Sequence, residues 1–343
     1  MTRVLHVLQG GPTLSIQDMG RPGYRAQGLT VSGAMDPLAL HEGAALLGQD
    51  AQHAALEMAG TGGRFKVDQD TRIALTGAVM AVQVDGVPLV WNASHLLRAG
   101  QVLDIGGARS GSYGYLHLGG GIDTPLVMGS RSAHLRAGVG RALETGDILP
   151  LGNDKGHDVN RTLTPDARLT GGTLRCVASM QTGSFAPEVL DRFTATTFVR
   201  DPRANRMGIR MDQDGTGFDT DGALSIVSEV TVPGDIQLTG DGAPFVLMCE
   251  CQTTGGYPRI GSVLPCDLPR AAQAPAGSQI RFEFVSMDDA LTLHRRYTDA
   301  KRALHRRVKP LVRDPADMAD LAAYQLAGQA VSAVADPFVQ ETD

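Results

Sequence analysis

The stretch TRIALTGAVMAVQVDGVPLVW, residues 71–91, decides the fold class, because it reads as two strands joined by a tight turn. Apolar and β-branched residues fill both arms, and the Asp85-Gly86 step between them is typical of a two-residue hairpin. Residues 112–121 and 278–286 alternate along their length as half-buried strands do. We expect His117, in the first of these, to be partly buried and hydrogen-bonded, not a ligand or base. These segments predict a mainly β protein.

Helices are fewer, but three are predicted. In residues 35–50, Asp36 can cap the start of a helix and Gly48 can end it. Apolar residues at helical spacing predict a longer helix from about 288 to 308 and a last, alanine-rich helix from about 316 to 334.

The composition predicts a soluble, globular, two-domain protein. Its 343 residues exceed one typical core, and 42% hydrophobic with 20% charged residues argue against disorder. A net charge of −6 gives no global attraction to nucleic acid or to anionic membranes, and no apolar run is long enough to span a bilayer. Four cysteines are few, and no signal peptide precedes them, so we expect reduced thiols and a cytoplasmic location.

Short matching segments indicate an internal duplication. VDGVPLV at 84–90 and GDGAPFV at 240–246 share one pattern, and the polar stretch 152–172 lies between them. We therefore expect three parts: an N-terminal β-barrel lobe at 1–160, a second β-barrel lobe at 161–290 and a C-terminal helical extension at 291–343.

Several familiar motifs are absent or incomplete. The sequence has neither a G-x-x-x-x-G-K-[ST] phosphate loop nor a G-x-S-x-G elbow. Cys249, Cys251 and Cys266 could ligate a soft metal, but no C-x-x-C pair or nearby histidine accompanies them, so we predict no metal site made by this chain. The basic segment 294–313 could bind nucleic acid or lipid, but its small apolar stripe favours a helix lying on its own domain or on an acidic partner.

Two polar constellations remain. The first, residues 15–48, places Asp18, Arg21, Arg25 and Asp36 in a glycine-rich segment that enters the first helix. Such a segment can present backbone N–H groups, guanidinium forks and a carboxylate to one ligand. The alternative is a tightly turned loop whose arginine–aspartate pairs only hold its shape.

The second constellation is QTTGGYPRIGSVLPCDLPRAAQ, residues 252–273. Gln252 offers an amide, Thr253 and Thr254 offer hydroxyls, and Gly255-Gly256 let backbone N–H groups approach an anion or a carbonyl. The alternative, a bulged hairpin, explains the glycines but not the polar side chains before them.

Motifs from both halves of the chain resemble one family. SIQDMGRPGYR at 15–25, GGGIDTPLVMGSRS at 119–132, RMGIR at 206–210 and CQTTGGYPRIG at 251–261 look like the biotin-dependent carboxyltransferase family of the C/D type. Its members are also called allophanate hydrolase subunit 2, urea-amidolyase-related protein or the C subunit of 5-oxoprolinase. The resemblance covers most of residues 1–290 and leaves out the helices that follow.

The resemblance implies two cyclophilin-like β-barrel lobes and work in a complex. Family members act with a B subunit, which is like allophanate hydrolase subunit 1, and in 5-oxoprolinase also with an A subunit. The implied activity is ATP-dependent hydrolysis of the lactam 5-oxoproline, with ATP and Mg²⁺ in a site shared with the partner. The alternatives are a carboxyltransferase component of a biotin-dependent urea or amide carboxylase, and a non-catalytic regulator that binds a kinase inhibitor resembling the B subunit.

Two features of the sequence bear on these alternatives. The chain carries no Met-Lys-Met biotin attachment site, so biotin would have to come from another chain, and this slightly favours the 5-oxoprolinase reaction, which needs none. Where the family often has Asp-Arg before the Gln-Thr-Thr-Gly-Gly motif, this chain has Glu250-Cys251. This chain therefore lacks a positive charge at that position, and its activity or substrate would differ if the arginine of the family contacts phosphate.

Activation of a lactam carbonyl by phosphorylation needs cations for the phosphate, donors for the oxyanion and a group for the proton or Mg²⁺. The candidate catalytic residues are Arg21, Asp36, Arg206, Thr254 and Asp267. The candidate substrate-binding residues are Gln252, Thr253, Gly255, Gly256, Tyr257 and Arg210.

Overall fold

A computed structural model describes residues 3–218 and 228–312 of the chain. Its α-helices are α1 (Pro37–Leu47), α2 (Pro187–Ala195), α3 (Leu268–Gln273) and α4 (Met287–Arg302). None of the helices in these ranges is long and apolar enough to cross a membrane. The helix predicted at 316–334 lies outside the described residues.

The first lobe is a nine-stranded antiparallel sheet. Its strands are β1 (Val4–Gln9), β2 (Ser15–Gln17), β3 (Ala55–Ala59), β4 (Arg64–Val67), β5 (Thr71–Val84), β6 (Val87–Pro88), β7 (Ser94–Leu97), β8 (Val102–Leu118) and β9 (Ile148–Pro150). Strands β2, β3, β8, β4, β1 and β9 follow one another across the sheet, and β5 pairs with β6, β7 and β8. The long strands β5 and β8 thus form a half-barrel around one apolar core.

The predicted hairpin and the predicted alternation are confirmed. Asp85 and Gly86 have φ values of 48° and 85° and form the turn between β5 and β6. Along β8, Leu116 packs into the core of the first lobe, while Tyr115 belongs to a core shared with the second lobe. One strand therefore serves both lobes, because its two faces carry different side chains.

Helix α1 begins and ends where the sequence predicts. The Asp36 side chain accepts a hydrogen bond from Ala39 N at 3.3 Å, and Gly48 takes a left-handed conformation just after the helix. The helix lies close against His117, whose Nε2 is 2.7 Å from Thr76 Oγ1. A Cβ atom on Gly43 would come within 2.3 Å of the imidazole ring. His117 is therefore a buried, hydrogen-bonded residue, as expected.

The second lobe is built on a closed barrel. The strands of this half of the chain are β10 (Arg161–Thr162), β11 (Gly172–Val177), β12 (Phe198–Arg200), β13 (Gly208–Asp212), β14 (Glu229–Val230), β15 (Asp235–Leu238), β16 (Pro244–Leu247), β17 (Thr254–Gly255), β18 (Arg259–Val263), β19 (Gln279–Phe284) and β20 (Lys309–Pro310). The barrel order is β11-β18-β15-β16-β13-β12-β19, and a parallel β11–β19 pair closes it. The fold class, mainly β with a few helices, is confirmed.

Helix α4 is shorter than predicted. It starts at Met287, where the Ser286 side chain caps it, but ends at Arg302 instead of continuing to 308. A short 3-10 turn, in which Leu304 is buried, replaces its last predicted turn. Strand β20 then pairs with β10, so the extension returns to the segment between the lobes.

Hydrogen bonds from Gln273 fasten the two lobes together. Its Oε1 accepts the backbone N–H groups of Ser112 and Tyr113, both at 3.0 Å. Its Nε2 donates to the Tyr113 carbonyl and to Asp36 Oδ2, both at 2.8 Å. All four groups belong to the first lobe, while Gln273 ends α3 of the second, so this amide fixes the docking of the two sheets.

Candidate functional site

A buried arginine, Arg206, lies at the centre of the seam between the lobes. Its Nε donates to Glu250 Oε1 at 2.5 Å, and its Nη1 donates to Glu57. Its Nη2 donates to the Gly33 carbonyl at 2.6 Å and to Ser32 Oγ at 3.2 Å. Every nitrogen of the guanidinium is thus occupied by the protein. We call these five residues the seam network.

Both carboxylates of the seam network are also fully engaged. Glu57 Oε2 accepts from Tyr115 Oη and from Met35 N, both at 2.7 Å. Glu250 Oε2 accepts from Arg136 N at 3.1 Å. Burial raises the pKa of Glu250, but Arg206 outweighs it, so that the net pKa is below the ordinary value. Glu250 therefore stays ionised against Arg206.

The first constellation folds as a tightly held loop. Asp18 accepts from Gly20 N at 2.8 Å, from Ser130 Oγ at 2.6 Å and from Arg131 N at 2.6 Å. Arg21 is enclosed beside it and donates to the Ser132 carbonyl. The interpretation as a shape-holding loop fits Asp18 and Arg21, although Arg21 Nη1 is enclosed with no partner in the described part of the chain.

Asp36, the last predicted member of that constellation, lies in a separate cluster. Arg168 Nε donates to Asp36 Oδ2 at 2.7 Å, and the two Nη atoms of Arg168 donate to Glu42 at 2.9 and 2.6 Å. Asp36 also caps α1 and accepts from Gln273. This buried cluster joins α1 to the segment after β10 and leaves Asp36 no open side.

The glycine loop, residues 252–257, lies against strands β15 and β14. Gln252 Nε2 donates to Gln237 Oε1 at 3.0 Å, and Thr231 Oγ1 donates to the Gln252 carbonyl at 2.6 Å. The Thr231 N–H donates to the Thr253 carbonyl at 3.0 Å. A Cβ atom on Gly255 would come within 2.7 Å of Gln237 Nε2, so a larger residue there would require the Gln237 side chain to move. The loop backbone is held by strand β17, which pairs with β14 in a separate two-stranded sheet.

The outer edge of the glycine loop is open. Thr254 is exposed, and Tyr257 keeps 48% of its surface accessible. Arg25 lies beside this edge, half-buried, and its Nη1 donates to the Thr231 carbonyl. Its other guanidinium nitrogens have no partner among the described residues. Arg25, Thr254 and Tyr257 therefore form a surface with free donors, which we call the loop edge.

Two predicted site residues lie away from the loop edge. Asp267, which lies next to α3, accepts hydrogen bonds from the backbone N–H and from the Nε of Arg175, both at 2.8 Å. Arg210 on β13 is bound by Asp212 at 2.8 Å and by Asp241 at 2.7 Å. The structure thus keeps Gln252, Thr253, Thr254, Gly255, Gly256 and Tyr257 together in the glycine loop, whereas it places Arg206 in the seam network and Asp36, Asp267 and Arg210 in local ion-pair clusters.

Sequence analysis missed the residues that complete these clusters, namely Glu57, Arg168, Thr231 and Gln237. None of them belongs to a recognisable motif, and each meets its partner only through folding. Glu57, for example, is 149 positions from Arg206 in the chain. Glu250 was noticed only as a departure from the family pattern, although its charge-pairing with Arg206 gives it a clear structural role.

The cysteines and acidic side chains form no metal cluster in the part of the chain that the structure describes. All four cysteines are free thiols. Burial raises the pKa of Cys249 and of Cys251 to about 12, so neither supplies a thiolate near neutral pH.

Comparison with known proteins identifies the family. The family model described as "Carboxyltransferase domain, subdomain A and B" matches residues 27–284. The chain is 36% identical over 295 residues to the C subunit of 5-oxoprolinase from Escherichia coli (strain K12), a match that covers 84% of this chain and 93% of that protein. The same-named protein of Haemophilus influenzae is 33% identical over 297 residues, covering 85% of this chain and 95% of that protein.

Solved structures show the same architecture. The structure of TTHA0988 superposes with a TM-score of 0.75 at 28% identity, covering 82% of this chain and 56% of that one. The structure of the K. lactis urea amidolyase gives a TM-score of 0.77 over 91% of this chain but only 21% of that one. At 23% identity the latter likeness concerns the fold alone. With the family match over residues 27–284, these findings establish that the chain belongs to the carboxyltransferase-domain (subdomain A and B) family.

Proposed function

We propose that this chain is one component of an ATP-dependent 5-oxoprolinase, which converts 5-oxoproline, ATP and water into glutamate, ADP and phosphate. The observation that carries the proposal is the 36% identity to the C subunit of the E. coli 5-oxoprolinase, because it spans 93% of that protein. A match over nearly the whole length of a subunit indicates the same kind of subunit, not merely a shared module.

The chemistry of the reaction explains why a subunit of this kind needs donors and cations at one edge. A lactam is a cyclic amide and resists attack by water. Transfer of the γ-phosphoryl group of ATP to the carbonyl oxygen makes the carbonyl carbon electrophilic, and water then opens the ring. Positive charge must balance the phosphoryl oxygens, and N–H or O–H groups must face the oxygen that gains charge.

The loop edge supplies groups of this kind. Arg25 is a cation beside the glycine loop with N–H groups that are free among the described residues, and Thr254 offers an exposed hydroxyl. ATP with Mg²⁺ would lie between the loop edge and a partner protein, since Thr254 and Tyr257 both face outward. In this proposal Arg206 and Arg21 position the loop instead of binding phosphate, because their side chains are enclosed by the protein.

The partners and the location follow from the same proposal. A protein of this kind works with other subunits, which we take to be the B subunit and the A subunit of a 5-oxoprolinase. Unpaired thiols at all four cysteines agree with the cytoplasm, where ATP is abundant.

A second candidate function is carboxyl transfer to urea or a related amide. It is favoured by 28% identity over 306 residues to the urea amidolyase of Saccharomyces cerevisiae, of which this chain covers 17%. Biotin would then be carried by another chain of the complex.

Purification of the tagged chain with its native partners distinguishes the two functions. ADP release would be measured with 5-oxoproline, and separately with urea and bicarbonate. We expect release that depends on 5-oxoproline and is lowered about tenfold or more by Thr254→Ala or Arg25→Gln, as loss of a transition-state contact does. Release that depends on urea and bicarbonate, with a biotinylated chain present, would establish the second function instead.

A further inference from the structure

A second buried arginine, Arg200, lies where the end of the barrel meets the first lobe. It is the last residue of β12, and its side chain shares a face with the core residue Phe198. Its backbone is fixed, because its N–H donates to the Ser278 carbonyl at 3.0 Å and its carbonyl accepts from Gly277 N at 2.9 Å. The guanidinium is thus directed among apolar barrel residues at the seam.

Among the described residues, the one carboxylate that acts on the charge of Arg200 is Asp201, and the two form no ion pair. Arg200 is only 8% exposed, yet its side chain makes no hydrogen bond or ion pair there, and its Nε is completely enclosed. The neighbouring Asp201 is bound by Arg203 at 2.9 Å. Arg168 and Arg206, which are buried as deeply, each hold two carboxylates. Arg200 is therefore the exception among these three arginines.

Tyr113 of the first lobe adds a second unpaired group beside it. The residue is 5% exposed, and Gln273 binds its backbone, but its hydroxyl has no partner in the described ranges. Burial, and then Glu57, raise the pKa of Tyr113, whereas Arg200 acts in the opposite direction. Geometry places the two side chains in the same part of the seam, because Phe198 of β12 packs in one core with Tyr113, and the segment 273–277 binds both the Tyr113 backbone and the Arg200 carbonyl. Neither the Nη atoms of Arg200 nor the Tyr113 hydroxyl is among the completely enclosed atoms of the described residues.

Burying a guanidinium without a counter-ion opposes folding, so the fold gains nothing from this arrangement. A planar fork of N–H donors with an adjacent O–H donor matches a carboxylate. We propose that Arg200 and Tyr113 form a recess at the seam that binds the carboxylate of a small-molecule ligand. In a 5-oxoprolinase that ligand is 5-oxoproline. The identity of the ligand therefore rests on the proposed function, whereas the existence of the anion recess does not.

The recess is tested on the isolated full-length chain by thermal unfolding and calorimetric titration. The probes are 5-oxoproline, 2-pyrrolidinone, which is the same lactam without a carboxylate, and inorganic phosphate. The variants are Arg200→Gln and Tyr113→Phe, with Arg281→Gln as the control, since Arg281 is an exposed arginine on the adjacent strand β19.

We expect 5-oxoproline to bind and stabilise the wild type and Arg281→Gln, and 2-pyrrolidinone to do neither. Arg200→Gln should abolish binding, and Tyr113→Phe should weaken it about tenfold, the effect of one lost hydrogen bond to a charged group. Without ligand, Arg200→Gln should be at least as stable as the wild type. Lower stability of the free Arg200→Gln protein, unchanged binding in it, or no binding to the wild type would overturn the proposal. An equal response to phosphate would overturn the assignment to a carboxylate.

The assembled enzyme separates this inference from the proposed function. There, Arg200→Gln should raise the KM for 5-oxoproline about tenfold or more and change kcat little, because the carboxylate is held equally before and during the reaction. Turnover with an unchanged KM would refute the recess and leave the proposed function standing. A wild-type complex without 5-oxoproline turnover would refute the proposed function, and the titrations would still decide whether the recess binds carboxylates.

Discussion

At the scale of single residues, the polar side chains predicted to form the site are of two kinds: some are buried in ion pairs and others remain exposed to solvent. Arg206 and Asp36 were predicted as catalytic, and each turns out to be enclosed by partners from the other half of the chain. Asp36 is bound by Arg168, 132 positions away. The sequence identifies such residues as important, but it does not identify their partners, because those contacts exist only after the lobes dock.

The seam network makes Arg206 the residue on which the docking of the lobes depends. Arg206→Gln leaves Glu57 and Glu250 buried without a counter-ion, so we expect the free energy of unfolding to fall by about 3–5 kcal/mol. Arg64→Gln is the control, since the Arg64–Asp104 pair is exposed and such pairs contribute about 0–1 kcal/mol. Urea denaturation of both variants measures the difference. Equal, small losses would show that the seam network contributes little.

At the scale of the elements, the parts set by local rules were predicted well. The β5–β6 turn and both ends of α1 follow from glycine, aspartate and capping preferences that act within a few residues. The predicted end of α4 was wrong, because the apolar spacing continues through the 3-10 turn that follows Arg302 and so does not mark where the helix stops. The glycine loop was recognised, but its anchoring by Gln237 and Thr231 required the pairing of distant strands.

The packing of α1 on β8 reverses an ordinary helix rule. Gly→Ala inside a helix normally stabilises it by about 1 kcal/mol. At Gly43, however, the added Cβ would lie 2.3 Å from the His117 ring, so we expect Gly43→Ala to lower the melting temperature. The double variant Gly43→Ala/His117→Ala removes the ring and serves as the control. A melting temperature of Gly43→Ala above that of the wild type would contradict this packing.

The burial of His117 against α1 also makes the stability of the protein depend on pH. Burial lowers the pKa of His117 to about 3, whereas the unfolded chain takes up a proton near its ordinary value of 6.5. Above pH 6.5 His117 is neutral in both states, so its burial costs no stability. As the pH falls from 6.5 toward 3, proton uptake by the unfolded chain lowers the free energy of unfolding by about 1.4 kcal/mol per pH unit. His117→Gln should show a flatter decline of the unfolding free energy between those values. Parallel curves for the two proteins would mean that His117 does not carry this effect.

At the scale of the whole molecule, the two lobes form one scaffold for an outward-facing edge. Their cores meet through Tyr115 and Met35, and buried ion pairs link the first lobe to the barrel. The general architecture was predictable from strand patterns and family resemblance. The position of the glycine loop was not, because it depends on Gln237 and Thr231, which only the folded second lobe brings to it. This rigid support is what a site completed by a partner protein requires.

In the proposed function, the enzyme needs this chain to couple ATP to the opening of 5-oxoproline. This requirement is tested by the amount of glutamate formed per ADP released, measured in the purified complex with this chain present and with it omitted. We expect one glutamate per ADP when the chain is present and neither product above background without it. Glutamate formed at the same rate without the chain, or ADP release that does not respond to 5-oxoproline, would refute the proposed function.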